Sequence, residues 1–246
     1  MRARLTLLLA VGLALTSPTL GQGPWAKKDW KKWSKDECKS IQEDSPWAQR
    51  WTEADVKMAN FATRTSGTEG VGSESQLAVY YIMQFRSALP VRQALVREVL
   101  IQNRYDQMDP KQKEAVEKQT ADFLNRKYDD VVVVHVLYGS NVPEYNRDLA
   151  TFWQTHYPEG TVPQEAFLNA PRGQKVTPLR LISHKSGAQE FELVFPRMID
   201  GKPLLEPGDK TMSVEFASPS VGEIKSSRVF VEFKIAKMMV NGQLVY

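Results

Sequence analysis

The chain has 246 residues, 42% of them hydrophobic and 25% charged, with a formal net charge of +3 at neutral pH. That length suits one large domain or two small ones with a substantial core, and the near balance of charge gives no field to draw in nucleic acid. The single cysteine, Cys38, excludes an intramolecular disulfide, so stability must come from packing.

Near the start, Arg2 and Arg4 precede an apolar run over residues 5–15, and Thr19-Leu20-Gly21 offers small residues where a signal peptidase reads. Residues 1–21 are therefore expected to be a cleavable signal peptide, and the mature protein to be periplasmic or secreted. The run is too short to persist as a spanning helix, and no later segment reaches the roughly 20 apolar residues that spanning needs. Cys38 lies well downstream of Gly21, which disfavours a lipid-anchor cysteine. Loss of Arg2 and Arg4 from the 32 basic residues leaves 30 against 29 acids, a net charge of +1.

Residues 22–51 form a Trp/Lys-rich segment that holds Trp25, Trp30, Trp33, Trp47 and Trp51. Ser34-Lys35-Asp36-Glu37 has capping-box spacing and predicts a helix to about Glu43, ended by Ser45-Pro46. Residues 47–58 read two ways. Thr52-Glu53-Ala54-Asp55 suits a helix cap, whereas Trp47, Gln49, Trp51 and Glu53 share one face of a strand, which is preferred. Residues 63–75 are a Gly/Ser/Thr loop. Residues 76–85 alternate as a strand, with a buried helix as the alternative.

Pro90 and the pair Asp109-Pro110 mark two helix starts, predicting a helical hairpin over about 90–127. Residues 131–137 read as a strand buried on both faces. Residues 145–156 read as a short helix with Leu149, Phe152 and Trp153 inward, and 158–178 as loop-rich. Strands are then predicted at 179–184, 190–195, 211–216, 228–235 and 239–245; Asn241-Gly242 inside the last makes a hairpin tip its alternative. Phe191, Leu193 and Phe195 oppose Glu190, Glu192 and Val194, while Val229, Val231 and Phe233 oppose Phe230, Glu232 and Lys234, so one wet and one buried face are expected. The expected fold class is α+β: an antiparallel β-sandwich-like C-terminal half, β-rich over 176–246, with the earlier strands around Val79 and Val133 in or beside it and the helical hairpin packed on it, in a single domain over 52–246.

Candidate chemistry is sparse. His135, His156 and His184 are the three histidines, and none stands in a nucleophile-elbow, zincin or zinc-cluster motif. His135, inside an apolar strand, reads as a hydrogen-bonded sheet histidine. Glu190 and Glu192 share a strand face expected to meet solvent, and are set aside as a catalytic dyad. Gly208-Asp209-Lys210-Thr211 lacks the earlier glycine of a phosphate loop. No catalytic, metal or cofactor-binding residue is assigned, and no cofactor is expected. Cys38 reads as a small buried hydrophobe beside Trp33 and Ile41, with pairing to a partner chain as the alternative.

Two surfaces are candidates for binding. Trp25, Trp30 and Trp33 alternate with Lys27, Lys28, Lys31 and Lys32, as in segments that rest at a membrane interface or stack on sugar rings. The preferred alternative folds these tryptophans back on the domain. Arg86 and Arg92 flank a junction where a strand hands over to a helix N-terminus able to attract an anion; ordinary capping, with both arginines in solvent, is preferred.

Glu37-Cys38, Ser45-Pro46-Trp47-Ala48, Ser87-Ala88-Leu89-Pro90-Val91-Arg92 and the closing residues 233–246 resemble a family of uncharacterised exported bacterial proteins, over most of the mature chain. The resemblance implies export and a bacterial source, and no catalytic or ligand residues. The expected function is non-enzymatic binding or interaction in the cell envelope, with an envelope protein or polymer as partner, no nucleic acid, and peripheral membrane contact not favoured. The alternative is a hydrolase of envelope polymers whose scattered acids only the fold would assemble.

Overall fold

Alternating apolar side chains set the architecture. The computed structural model describes residues 23–54, 78–157, 161–183 and 188–246. The expected signal peptide, the loop at 63–75, and His184 with its following turn lie outside the described residues. The strands are β1 (Ala48–Ala54), β2 (Ala78–Phe85), β3 (Val131–Ser140), β4 (Phe167–Asn169), β5 (Lys175–Val176), β6 (Arg180–Ser183), β7 (Glu190–Pro196), β8 (Met198–Ile199), β9 (Lys202–Pro203), β10 (Thr211–Ser218), β11 (Ser227–Lys234), β12 (Met239–Val240) and β13 (Gln243–Leu244). One sheet runs β1-β2-β3-β7-β6 and a second β11-β10-β4-β5, all neighbours antiparallel.

The two sheets face each other across an aromatic core. Tyr81 meets Phe216 with ring centroids 5.1 Å apart, and Phe85 meets Phe233 at 4.9 Å. Met83, Val134, Val136, Leu193, Leu168, Val214 and Val231 fill the space between and are buried. The fold is α+β, as expected, and the earlier strands around Val79 and Val133 join the sandwich, its first sheet taking β1, β2 and β3 from before residue 176. Strand β4, in the middle of the second sheet, comes from the stretch read as loop-rich; three residues offer too few alternations to betray a strand. The end of the chain is the hairpin β12-β13, with Asn241 at φ 50 and Gly242 at φ 78, the left-handed pair that a type I′ turn requires.

The helices are α1 (Pro24–Lys27), α2 (Lys35–Glu43), α3 (Leu89–Gln102), α4 (Pro110–Asn125) and α5 (Pro143–His156). Two of the three marked starts form as capping boxes, Glu37 N–H donating to Ser34 Oγ at 3.2 Å and Gln112 N–H to Asp109 Oδ1 at 2.8 Å, whereas α3 starts after Ala88 with no side-chain cap. Helix α2 lies over β1 and β2, and α3 packs chiefly on α2, burying Trp33, Cys38, Ile41 and Ala94 between them. Helix α4 closes on α3 through Val116, Phe123 and Leu124. No helix among the described residues is long and apolar enough to cross a membrane.

The expected domain limit at residue 52 falls inside β1, and the Trp/Lys-rich segment packs into the same core. Trp47 is fully buried and donates its indole N–H to the Val245 carbonyl at 2.6 Å, while Trp25 meets Trp47 edge-on at 5.1 Å. Cys38 is fully buried, and burial pushes its thiol up to about 11. A thiol reagent is expected to label it on the order of a hundredfold more slowly in the native protein than in urea. Comparable rates in the two conditions would contradict this burial.

Candidate functional site

Strand register assembles the site. Tyr81, Met83 and Phe85 of β2, Val134 and Val136 of β3, and Phe191 and Leu193 of β7 point into the core. Alternation therefore turns Gln84, His135, Glu190 and Glu192 to the outer face of the first sheet. Gln84 pairs with His135 and His135 with Glu192, so the three stand in one line across three strands, with Ile182 of β6 next.

The imidazole is bracketed by carboxylates. His135, 2% exposed, holds Nε2 3.1 Å from Glu190 Oε2 and Nδ1 3.6 Å from Glu192 Oε1. The longer contact is electrostatic and beyond a hydrogen bond. The glutamate side chains keep 25% and 23% exposure, so the cluster opens to solvent along β7.

Arg86, just past β2, completes the group. Its backbone N–H donates to the Val133 carbonyl at 2.9 Å. Burial holds its guanidinium below the ordinary value, while Glu192 and Glu190 act in the opposite direction. Its Nε is buried with no hydrogen-bond partner among the described residues. Gln84, 1% exposed, donates through Nε2 to the Gln42 carbonyl at 2.6 Å, which fixes the orientation of the amide. Its Oε1 is buried and lacks a partner among the described residues.

The site thus places hydrogen-bond donors and acceptors of both charges side by side on a rigid sheet. The hydroxyl next in sequence is committed elsewhere, since Ser87 Oγ accepts from the Val133 N–H at 3.3 Å. No group of three His, Cys, Asp or Glu is placed to hold a metal ion among the described residues. A cavity lined by Trp153, Tyr157, Leu181 and Phe191 between the sheets has room for no more than one water molecule.

Of the arginines singled out from the sequence, only Arg86 joins this cluster. Arg92 does not lie in solvent. It is 6% exposed, and its Nη1 donates to the carbonyls of Phe123, Leu124 and Arg126 at 3.1, 2.6 and 2.9 Å, capping the C-terminus of α4. Trp33 is buried, and Trp25 and Trp30 are partly buried against the core clusters. Lys28 and Lys31 pair with Glu37 at 2.8 Å and Glu117 at 2.6 Å. His156 stacks on Phe152 at 4.8 Å, away from the cluster.

Glu190 and Glu192 share a face as expected, but that face is not simply wet: it carries His135, and Val194 on it is 1% exposed. The one available signal was polar residues at alternating positions of otherwise apolar strands. No protein-family model, curated protein or solved structure matches the chain.

Proposed function

We propose that the chain is an exported binding protein of the bacterial cell envelope, with its recognition site at the outer-face cluster of Gln84, Arg86, His135, Glu190 and Glu192. The observation that carries this reading is the convergence of desolvated polar groups of both charges on a sheet face where Glu190 and Glu192 keep partial exposure. Buried polar groups cost stability unless matched, so such a concentration on a rigid face suits recognition. Export is supported by the N-terminal charge and apolar pattern and by the resemblance to exported bacterial proteins.

A second reading, hydrolysis of an envelope polymer, is favoured by one observation: both carboxylates touch the same histidine. Incubating the mature protein with isolated bacterial cell-wall sacculi separates the two. Binding is expected to give saturable co-sedimentation with the polymer intact. Release of soluble fragments, lost in Glu190→Gln and Glu192→Gln, would replace the first reading by the second. A protein left wholly in the supernatant, with no fragments released, would remove both.

A further inference from the structure

We infer that β11 is a self-association edge, through which two copies of this chain pair antiparallel about a two-fold axis at Phe230 and join their second sheets into one. Strand β11, eight residues long, closes one side of that sheet, and β10 is its only partner strand among the described residues. One step beyond the Thr211–Lys234 pair, Ile235 N–H donates to the Lys210 carbonyl at 3.0 Å. Bonded and free positions alternate along an antiparallel strand, so Phe233, Val231 and Val229 bond to β10. The N–H and C=O groups of Arg228, Phe230 and Glu232 therefore point away from it, and none has a backbone partner among the described residues. Strand β1 of the facing sheet reaches β11 through inward-facing side chains: the Ser227 hydroxyl donates to the carboxylate of Glu53, which stands opposite the core residue Val79. A long edge of this kind is a template for another strand.

The side chains select which strand. Arg228, Phe230, Glu232 and Lys234 are exposed on the outer face, in alternation with buried Val229, Val231 and Phe233. Phe230 keeps 47% of its surface exposed. A lone exposed ring is ordinary; what distinguishes this one is opposite charge two residues to either side. Pairing centred on Phe230 sets its ring against its own copy, Arg228 against the partner's Glu232, and Glu232 against the partner's Arg228. On the inner face Val229 meets the partner's Val231, so the core side of the sheet continues unbroken. Sliding the strands by two residues sets Arg228 against the partner's Lys234 in one direction, and leaves Glu232 against Ser226 in the other. A slip of one turns the apolar set to solvent. Only the register at Phe230 matches both charges. Arg228 Nη1 lies 3.4 Å from Glu215 Oε2 and its side chain keeps 62% exposure, which leaves it free to serve a second carboxylate. Glu232 has no ion pair among the described residues, and the five-residue stretch offers about six backbone hydrogen bonds across the axis.

Sedimentation velocity of residues 22–246 over a concentration series tests this, with thermal melts to confirm that each variant folds. One strand pair buries less than a standard interface, so a monomer–dimer equilibrium with a dissociation constant on the order of 10–100 μM is expected. Arg228→Glu or Glu232→Arg alone sets like charges against each other at both ends of the pairing, and each is expected to weaken association about tenfold or more. Mixing the two single variants sets every changed side chain against an opposite charge and is expected to restore association as a heterodimer. The double variant is expected to restore the homodimer; a merely structural effect of either substitution would be relieved by neither. Should Arg228→Glu disturb the buried Glu215 and fail to fold, Phe230→Cys gives an independent readout. Its thiol is expected to link two chains with diamide as oxidant, while Cys38, being fully buried, adds no background. A monomer at concentrations up to about 1 mM would overturn the inference and leave the edge to a strand of another protein. A dimer indifferent to both single charge changes, folded variants that do not associate when mixed, or a folded Phe230→Cys that forms no cross-link would overturn it as well.

Discussion

Trp47→Ala is expected to cost about 3–5 kcal/mol, because a fully buried indole leaves a void that the surrounding core fills only in part. The same change strands the Val245 carbonyl, which now accepts the indole N–H at 2.6 Å, and removes the edge against which Trp25 packs at 5.1 Å. In a chain of this size, such a loss lowers the melting temperature by on the order of 10 °C. Urea unfolding followed by fluorescence and by circular dichroism is expected to give one coincident transition at a lower midpoint. A cost below about 1 kcal/mol would show that the tryptophan-rich segment sits outside the cooperative unit.

Arg92→Met is expected to cost about 3 kcal/mol, since it removes a charged donor from three carbonyls at the end of α4 while keeping most of the side-chain volume. The Ser87 carbonyl at 3.4 Å and the Tyr128 ring at 5.1 Å lose the same guanidinium. Arg92→Lys is expected to recover less than half of the loss, because one ammonium cannot reproduce the planar fork. Hydrogen exchange resolved by segment is the deciding readout: amides at 110–125 are expected to open sooner, with β2 and β3 little changed. A variant as stable as the parent, with unchanged exchange in α4, would contradict the capping role.

Local chemistry was legible where it is enforced locally. Ser34 with Glu37, and Asp109 ahead of Pro110, announced helix starts because the atoms that satisfy the free N–H groups lie within three residues of them. Residues 131–137 of β3 were visible as an apolar run interrupted only by His135, and the two faces of β11 as alternation. Strand β4 was not, being too short for a period to repeat.

The role of Arg92 was hidden because its partners come from a helix that begins 18 residues later, and only the packing of α4 on α3 brings their ends together. The candidate site was hidden for the same reason. His135 and Glu192 meet through a register between β3 and β7, strands with β4, β5 and β6 between them in the chain. Each residue taken singly has an ordinary explanation; the pairing gives them a joint one.

Carboxyl footprinting of residues 22–246 on sacculi tests the central claim most directly, by comparing modification of each acidic side chain in the free and the bound protein. Protection of Glu190 and Glu192 is expected, with Asp36, Glu206 and Glu223 labelled equally in both states. Unchanged labelling of Glu190 and Glu192 together with protection near residues 25–37 would contradict it and move the binding surface to the tryptophan-rich segment.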